Sequence, residues 1–371
     1  MTKSLAYFIY LDTKIVGAIL QLCAFFERGV FAKDNTIVLV KKYKHKSTRL
    51  IAQILTKQGI VYRFVKENDL DELTDGVMFY PFNAQSNCRA VANRHLTHIF
   101  ITHGESNKVS SIKPIIRIYD YVITAGQAGI ERYLASGIFS QHDVDTGRII
   151  MLGDTFIGRT GLTDKGMGQE VVFYAPTWEG GIERENYSSL SYVDKVAKIL
   201  TNTAKTHQVD TIVIKPHPNT GHRLRQYIDH VYELAKILRN GQLNVVIFKP
   251  YLRLMWLQSF KYERLGVIFV DDLTTYHAKI GFCDISAVET QFLNEGIFYY
   301  LFLNSIENKA MIKNICCKNP HIVNLMSSHE LPDSIPMSFY QELKNYVIFQ
   351  EMSMLPINER IDCLLHKIID K

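Results

Sequence analysis

The sequence predicts an α/β protein built from two Rossmann-like domains facing a central cleft, and three observations lead there. At 371 residues the chain is about twice as long as the commonest single domain. Hydrophobic residues make up 47% and charged residues 21%, enough apolar material for large cores and unlike a disordered, collagenous or coiled-coil chain. Short apolar runs alternate with amphipathic stretches, and the alternation starts afresh after residue 165.

In the first half, SLAYFIYLD reads as a strand, with a helix over residues 15–31 behind it. NTIVLVKK is a second strand, residues 48–58 a helix stopped by Gly59, and IVYRFV a third strand. GVMFYPF, THIFITHG and YDYVITAG continue the pattern, each halted by Pro, Gly or a polar turn. Such continuous apolar runs fit parallel strands covered on both faces by crossover helices. In the second half EVVFYAPT is a strand, residues 191–205 a helix, DTIVIKPHP a strand and residues 223–239 a helix. NVVIFK and GVIFVDD are further strands, IGFCDIS leads into a helix VETQFLNEG, and IFYYLFL closes the run. The Gly-rich, polar stretch GRTGLTDKGMGQ marks a join. Residues 1–160 then form an N-terminal acceptor domain, and residues 161–371 a C-terminal donor domain that ends in a helical tail.

Charge and cysteine usage narrow the function. A net charge of +5 from 42 Lys+Arg and 37 Asp+Glu is mild for a nucleic-acid binder, and no nucleic-acid partner is expected. It suits an anionic small substrate or an anionic membrane face equally well. Six cysteines at 23, 88, 283, 316, 317 and 363 show no C-x-x-C pair, which favours a reducing cytoplasmic setting over a disulfide framework or a zinc site. Asp12 and Lys14 interrupt the apolar N-terminus and no small-residue cleavage site follows, so no export signal is expected. Nowhere do 18 apolar residues run together, so membrane association would be peripheral. The stretch KKYKHKSTR at 41–49 has five Lys or Arg among nine residues and is expected either to rest on an anionic membrane or to be a solvated loop and helix start.

In parallel sheets ligands gather where strands end and helices begin, which singles out four segments. His103 follows THIFIT and precedes Gly104, which lets backbone approach a ligand; its imidazole is either a general base or a strand-end cap. Ser106 and Lys108 can hold a phosphate or an acceptor oxygen, or face solvent. In APTWEGG, Thr177 offers a hydroxyl at a strand end, with Trp178 as core or cleft wall and Glu179 before two glycines. In IKPHPNTGHR, Pro216 and Pro218 stiffen the backbone around His217 beside Lys215, suited to phosphate recognition or to a rigid exposed turn that takes in His222 and Arg223. In CDISAVE, Ser286 can donate to a phosphate together with free helix N–H groups, or Asp284 or Ser286 can be the N-cap; Glu289 is a ribose ligand or a first-turn carboxylate. No GxxxxGK[ST], GxGxxG or GxSxG pattern occurs where it would be needed, which disfavours P-loop ATPases, dinucleotide oxidoreductases and α/β-hydrolases.

HGESNK, YDYVITAGQAGIERY, GDTF, YAPTWEGG, IKPHP and CDIS follow one another over about residues 95–305. In this order they resemble the CDP-glycerol:polyol-phosphate glycerophosphotransferases of teichoic-acid and capsule synthesis. The resemblance implies a GT-B fold, a cytidine nucleotide on the C-terminal domain and a basic histidine from the N-terminal one. It implies His103 and His217 as catalytic residues, the first as base and the second on the diphosphate. It places Thr177 and Ser286 with His217 on the donor side, which the residue reading extends to Glu179, Lys215 and Glu289, and leaves Gly104, Ser106 and Lys108 as the expected acceptor side. Ala287 replaces the second Ser of the family's D-Y-S-S pattern, and Gln291 stands where a carboxylate is usual seven residues beyond Asp284. No cofactor or metal is expected. The expected reaction moves glycerol phosphate from CDP-glycerol, or a related CDP-activated donor, to a saccharide or lipid-linked polymer acceptor at the cytoplasmic side of the envelope. The shortness of the chain suggests an initiating or linker-extending step. The alternatives are a GT-B glycosyltransferase using a nucleotide-sugar or CDP-ribitol, and a non-catalytic envelope-assembly module.

Overall fold

The computed structural model describes residues 7–13, 16–43, 46–101, 105–252, 254–305, 320–327, 330–331 and 335–369. The chain divides into two compact units, the first of residues 1–105, 110–158 and 345–371, the second of residues 106–109 and 159–344.

The first unit carries strands β1 (Tyr7–Leu11), β2 (Thr36–Lys41), β3 (Tyr62–Val65), β4 (Val77–Tyr80), β5 (Thr97–Phe100), β6 (Tyr121–Thr124) and β7 (Ile149–Met151). All pair in parallel, in the order β3-β2-β1-β4-β5-β6-β7. Between them run α1 (Val16–Glu27), α2 (Lys46–Lys57), α3 (Glu67–Asp71), α4 (Asn87–Val91), α5 (Gln127–Ala135) and α6 (Gln141–Asp145). The two-residue period of a strand splits β1 between two cores: Ile9 and Leu11 pack with Leu22, Phe25 and Phe79, while Phe8 and Tyr10 pack with Tyr80, Phe100 and Tyr119. This double burial is why the strands read as unbroken apolar runs.

The second unit repeats the plan with β8 (Gln169–Ala175), β9 (Thr211–Ile214), β10 (Asn244–Phe248), β11 (Ile268–Val270), β12 (Tyr276–Asp284), β13 (Tyr299–Leu303) and β14 (Ile322–Asn324). They too are parallel, in the order β11-β10-β9-β8-β12-β13-β14. Helices α7 (Val193–Thr206), α8 (Gln226–Asn240), α9 (Trp256–Arg264) and α10 (Val288–Glu295) connect them. On α8 the apolar residues Tyr227, Ile228, Val231, Leu234, Ala235 and Leu238 recur at helical spacing and are buried against Val172, Tyr174 and Ile214. On the opposite face Phe173 meets Phe292 of α10 edge-on at 5.9 Å. Helix α10 ends at Gly296, whose left-handed φ of 67° turns the chain into β13.

One expectation is corrected here. The helical tail assigned to the second domain belongs with the first unit. Met352, Ile361, Leu364 and Leu365 enter the same core as Ile9, Val38 and Phe79. Arg360, 5% exposed, pairs with Asp154 at 2.6 Å and donates to the carbonyls of Ser353 and Leu355. The chain passes so close to α5 that a Cβ on Gly126 would lie 2.7 Å from the Val347 carbonyl oxygen. A local pattern cannot show which sheet a terminal amphipathic helix covers.

The basic run at 41–49 leads into the start of α2, one of the two readings expected for it, and its first cation is paired. Lys41 is bound to the carboxylate of Asp12 at 3.0 Å, and the hydroxyls of Tyr43 and Ser86 donate to the same group. Lys44, His45 and the side chain of Lys46 lie outside the described residues. No helix among the described residues is long and apolar enough to cross a membrane. Because Leu364 is fully buried in the first core, Leu364→Ala should lower unfolding stability by about 2–5 kcal/mol. A denaturant midpoint within error of the parent would show the tail to be peripheral to that core.

Candidate functional site

The winding of the second sheet reverses between β8 and β12, with β9, β10 and β11 on one side of β8 and β12, β13 and β14 on the other. In parallel sheets such a reversal is where loops diverge and ligands gather, at the carboxyl ends of the strands. The loop after β8 begins Pro176–Thr177, and β12 ends in Asp284. The backbone N–H of Thr177 donates to Asp284 Oδ2 at 2.7 Å and ties the two strand ends together.

Asp284 is fully buried. No donor meets its Oδ1 in hydrogen-bond geometry, so the nearby Ser189 acts on it only at longer range. Burial pushes its pKa up to about 7, against the pull of Ser189, the Thr177 N–H and the cation of Lys108. Lys108 belongs to the short stretch 106–109 that clusters with this unit. Its Nζ donates to Thr177 Oγ1 at 2.6 Å and stands 5.7 Å from the centre of the Tyr187 ring. Burial brings the Lys108 pKa down to about 8, while Asp284 and Glu185 resist the fall.

His217 completes the group. Its ring stacks on Trp178, with centroids 5.9 Å apart and planes 16° from parallel. Burial, then the charge of Lys108, lowers its pKa to about 3, so the imidazole is neutral at physiological pH. Nδ1 accepts the Asn219 N–H at 3.1 Å, which leaves the ring proton on Nε2 as a donor. A neutral donor and a partly titrated ammonium beside a threonine hydroxyl favour an incoming phosphate oxygen.

Glu179 is fully buried and spent on the scaffold. Its carboxylate accepts the N–H groups of Gly221, Arg223 and Leu224 at 3.0, 2.8 and 2.9 Å. Arg223 returns to the carbonyls of Gly180 and Glu179. These bonds lace the loop after β8 to the loop after β9 and so fix Trp178 against His217. The tight turn needs Gly180, at φ 70°, where any Cβ would collide with the Glu185 carbonyl.

The structure thus brings Lys108, Thr177, His217 and Asp284 together and gives other partners to the remaining candidates. Lys215 donates to the Thr160 carbonyl at 2.6 Å and lies over the rings of Phe248 and Tyr251. Burial lowers its pKa to about 8 as well. Ser286 stands one residue before Ala287, the N-cap of α10, and its Oγ accepts the Val288 N–H at 3.3 Å, so neither Asp284 nor Ser286 is the cap. Glu289 faces the core, where Tyr299 donates to it at 3.2 Å and His321 lies 3.5 Å away. Ser106 Oγ accepts the Lys108 N–H at 3.3 Å. His103 and Gly104 lie outside the described residues. The next residue, Glu105, accepts the Ala125 N–H at 2.7 Å and pairs with Arg132 at 2.6 Å. Among the described residues no three His, Cys, Asp or Glu side chains are grouped to hold a metal ion.

Asp284 and Tyr187 were not among the candidates singled out from sequence. A carboxylate closing an apolar strand run was the available signal for Asp284, but it reads equally as a helix cap.

Solved structures with the same arrangement of elements extend over the whole chain. A Listeria monocytogenes protein assigned as a UDP-N-acetylglucosamine 2-epimerase is 12% identical, with 99% of this chain and 96% of that one covered and a TM-score of 0.53. The Neisseria meningitidis UDP-GlcNAc 2-epimerase, solved with UDP-GlcNAc bound, is 9% identical, with 99% and 100% covered and a TM-score of 0.50. The chain has the GT-B fold. No family model matches the sequence, and no curated protein sequence does either.

The raised pKa of Asp284 has a thermodynamic signature. Between about pH 4 and 7 the folded state keeps a proton that the unfolded chain has lost, so this group makes stability fall as pH rises, by at most about 1.4 kcal/mol per pH unit. In Asp284→Asn that fall should disappear from the urea-unfolding profile across the same window. An unchanged slope would mean that Asp284 is ionised throughout.

Proposed function

We propose that the chain is a transferase for a nucleotide-activated donor, and specifically that it moves glycerol phosphate from CDP-glycerol to a hydroxyl of a cell-envelope acceptor. The observation that carries this reading is the convergence of Lys108 and His217 near Thr177 at the reversal point of the second sheet. An ammonium and a neutral N–H there suit the diphosphate of a nucleotide. The ordered motifs HGESNK, YAPTWEGG, IKPHP and CDIS supply the donor's identity by resemblance.

In this reading His103 accepts the proton of the acceptor hydroxyl, and the oxygen attacks the β-phosphorus of CDP-glycerol. The bond from that phosphorus to the bridging oxygen breaks, and CMP leaves with the electron pair. Lys108 and the Nε2–H of His217 balance the charge that builds on the leaving phosphate. His217, with its pKa near 3, gives a hydrogen bond and takes no proton. Lys108 therefore moves from the acceptor side to the donor side, and Glu179 holds the loop instead of the ligand. Ser286 and the α10 N-terminus remain available to the second phosphate. The acceptor is a saccharide or lipid-linked polymer reached from the cytoplasm.

The purified chain should be offered CDP-glycerol, CDP-ribitol and nucleotide-sugars, with UDP-GlcNAc among them because the Neisseria protein binds it. CMP release from CDP-glycerol is the expected result. Nucleoside diphosphate release from a nucleotide-sugar would replace the reading with glycosyl transfer, and no release from any donor would favour a binding module. With the productive donor, His103→Ala should lower turnover by about 10² or more and leave CMP affinity unchanged, the amount a general base contributes.

A further inference from the structure

We infer that α9 of the second unit is a docking surface for an anionic lipid bilayer. Trp256 is 80% exposed, Leu257 62%, Met255 54% and Phe260 51%. Scattered exposed apolar residues are ordinary, but four large ones within six positions are not. At 100° per residue, Trp256, Phe260, Arg264, Leu257 and Lys261 fall in that order on one side of the helix. The opposite side anchors it: Tyr262 is buried, edge-on to Tyr232 at 5.1 Å and to Phe269 at 5.3 Å. The helix is thus held by its inner face and, among the described residues, leaves Trp256 and Phe260 exposed on its outer face.

The charge around that face selects the occupant. Lys261 and Arg264 continue the apolar surface, and Lys249 is exposed just before the helix. None of the three takes part in an ion pair among the described residues. On the same wheel the exposed Glu263 falls beside Trp256, so the face carries one carboxylate against these three basic side chains. A tryptophan and a phenylalanine flanked by unpaired cations match the acyl boundary and the headgroups of an anionic membrane, where aromatic rings partition and basic side chains meet lipid phosphate. A protein partner would need carboxylates and a shaped apolar counterpart; a bilayer needs neither. The inference is independent of the donor and of the reaction.

The full chain can be tested by co-sedimentation with phosphatidylcholine vesicles, with and without phosphatidylglycerol, across a salt series. Binding should require the anionic lipid and weaken with salt. Trp256 is one of only two tryptophans, so membrane entry should shift the emission to the blue in the parent and not in Trp256→Phe, which should still bind. The double change Trp256→Ser, Phe260→Ser should lower partitioning by about tenfold or more. Lys261→Gln and Arg264→Gln should each lower it about fivefold and flatten the salt dependence. All four positions are exposed, and unchanged circular dichroism and melting will show that the fold is kept. Failure to bind anionic vesicles, or equal binding by the parent and the double variant, would overturn the inference. So would self-association in solution that the double variant abolishes while vesicles remain unbound, since the face would then be a contact between copies of the chain.

Discussion

A single hydrogen bond, from the backbone N–H of Thr177 to the buried carboxylate of Asp284, closes the end of the second sheet where β8 and β12 part. The two strands are the most extensively paired in this unit, from Tyr276 opposite Gln169 to Cys283 opposite Ala175. Pairing over that length delivers Thr177 and Asp284 to neighbouring positions. Their hydrogen bond then aims the Thr177 hydroxyl at Lys108, whose charge in turn helps to keep His217 neutral. Glu179, two residues along, fixes the backbone that carries His217 to the same place. A buried carboxylate with one unpartnered oxygen is costly in a fold, and burial answers that cost by raising the pKa of Asp284 to about 7.

The first unit offers a useful contrast. Its sheet also reverses, between β1 and β4, and Asp12 follows β1 much as Thr177 follows β8. Burial alone would raise the pKa of Asp12, but donors from Ser86, Tyr43 and Lys41 hold it below the usual carboxylate value. One carboxylate is saturated and stays ionised; the other is under-supplied and titrates near neutrality. The same topology therefore produces a locked corner in one sheet and a responsive one in the other.

Most strands were legible because a strand buried on both faces leaves a run of Val, Ile, Phe and Tyr that no surface element imitates. NTIVLVKK contains β2, DTIVIKPHP contains β9 and IGFCDIS contains most of β12. Of the three-residue strands, β11 was legible inside the apolar run GVIFVDD while β7 and β14 were not, and α9 was missed because its outer face is apolar where a surface helix is polar. At the site, residue types at strand ends pointed to Thr177 and His217. Sequence could not distinguish Lys108, which points at the site, from Lys215, which is engaged by a carbonyl and two rings. Nor could it show that Glu179 is consumed by three backbone amides. Both distinctions depend on loops meeting from distant parts of the chain.

The central claim is that Lys108 receives a phosphate of the nucleotide, and proton linkage tests it most directly. With its pKa near 8, Lys108 is about half protonated at pH 8, and a bound phosphate should make it fully charged. Calorimetric titration of CMP at that pH, in buffers of different ionisation enthalpy, should therefore record an uptake of about half a proton per nucleotide. The uptake should vanish in Lys108→Met. CMP binding with no proton uptake, or with the same uptake after Lys108 is replaced, would contradict the account.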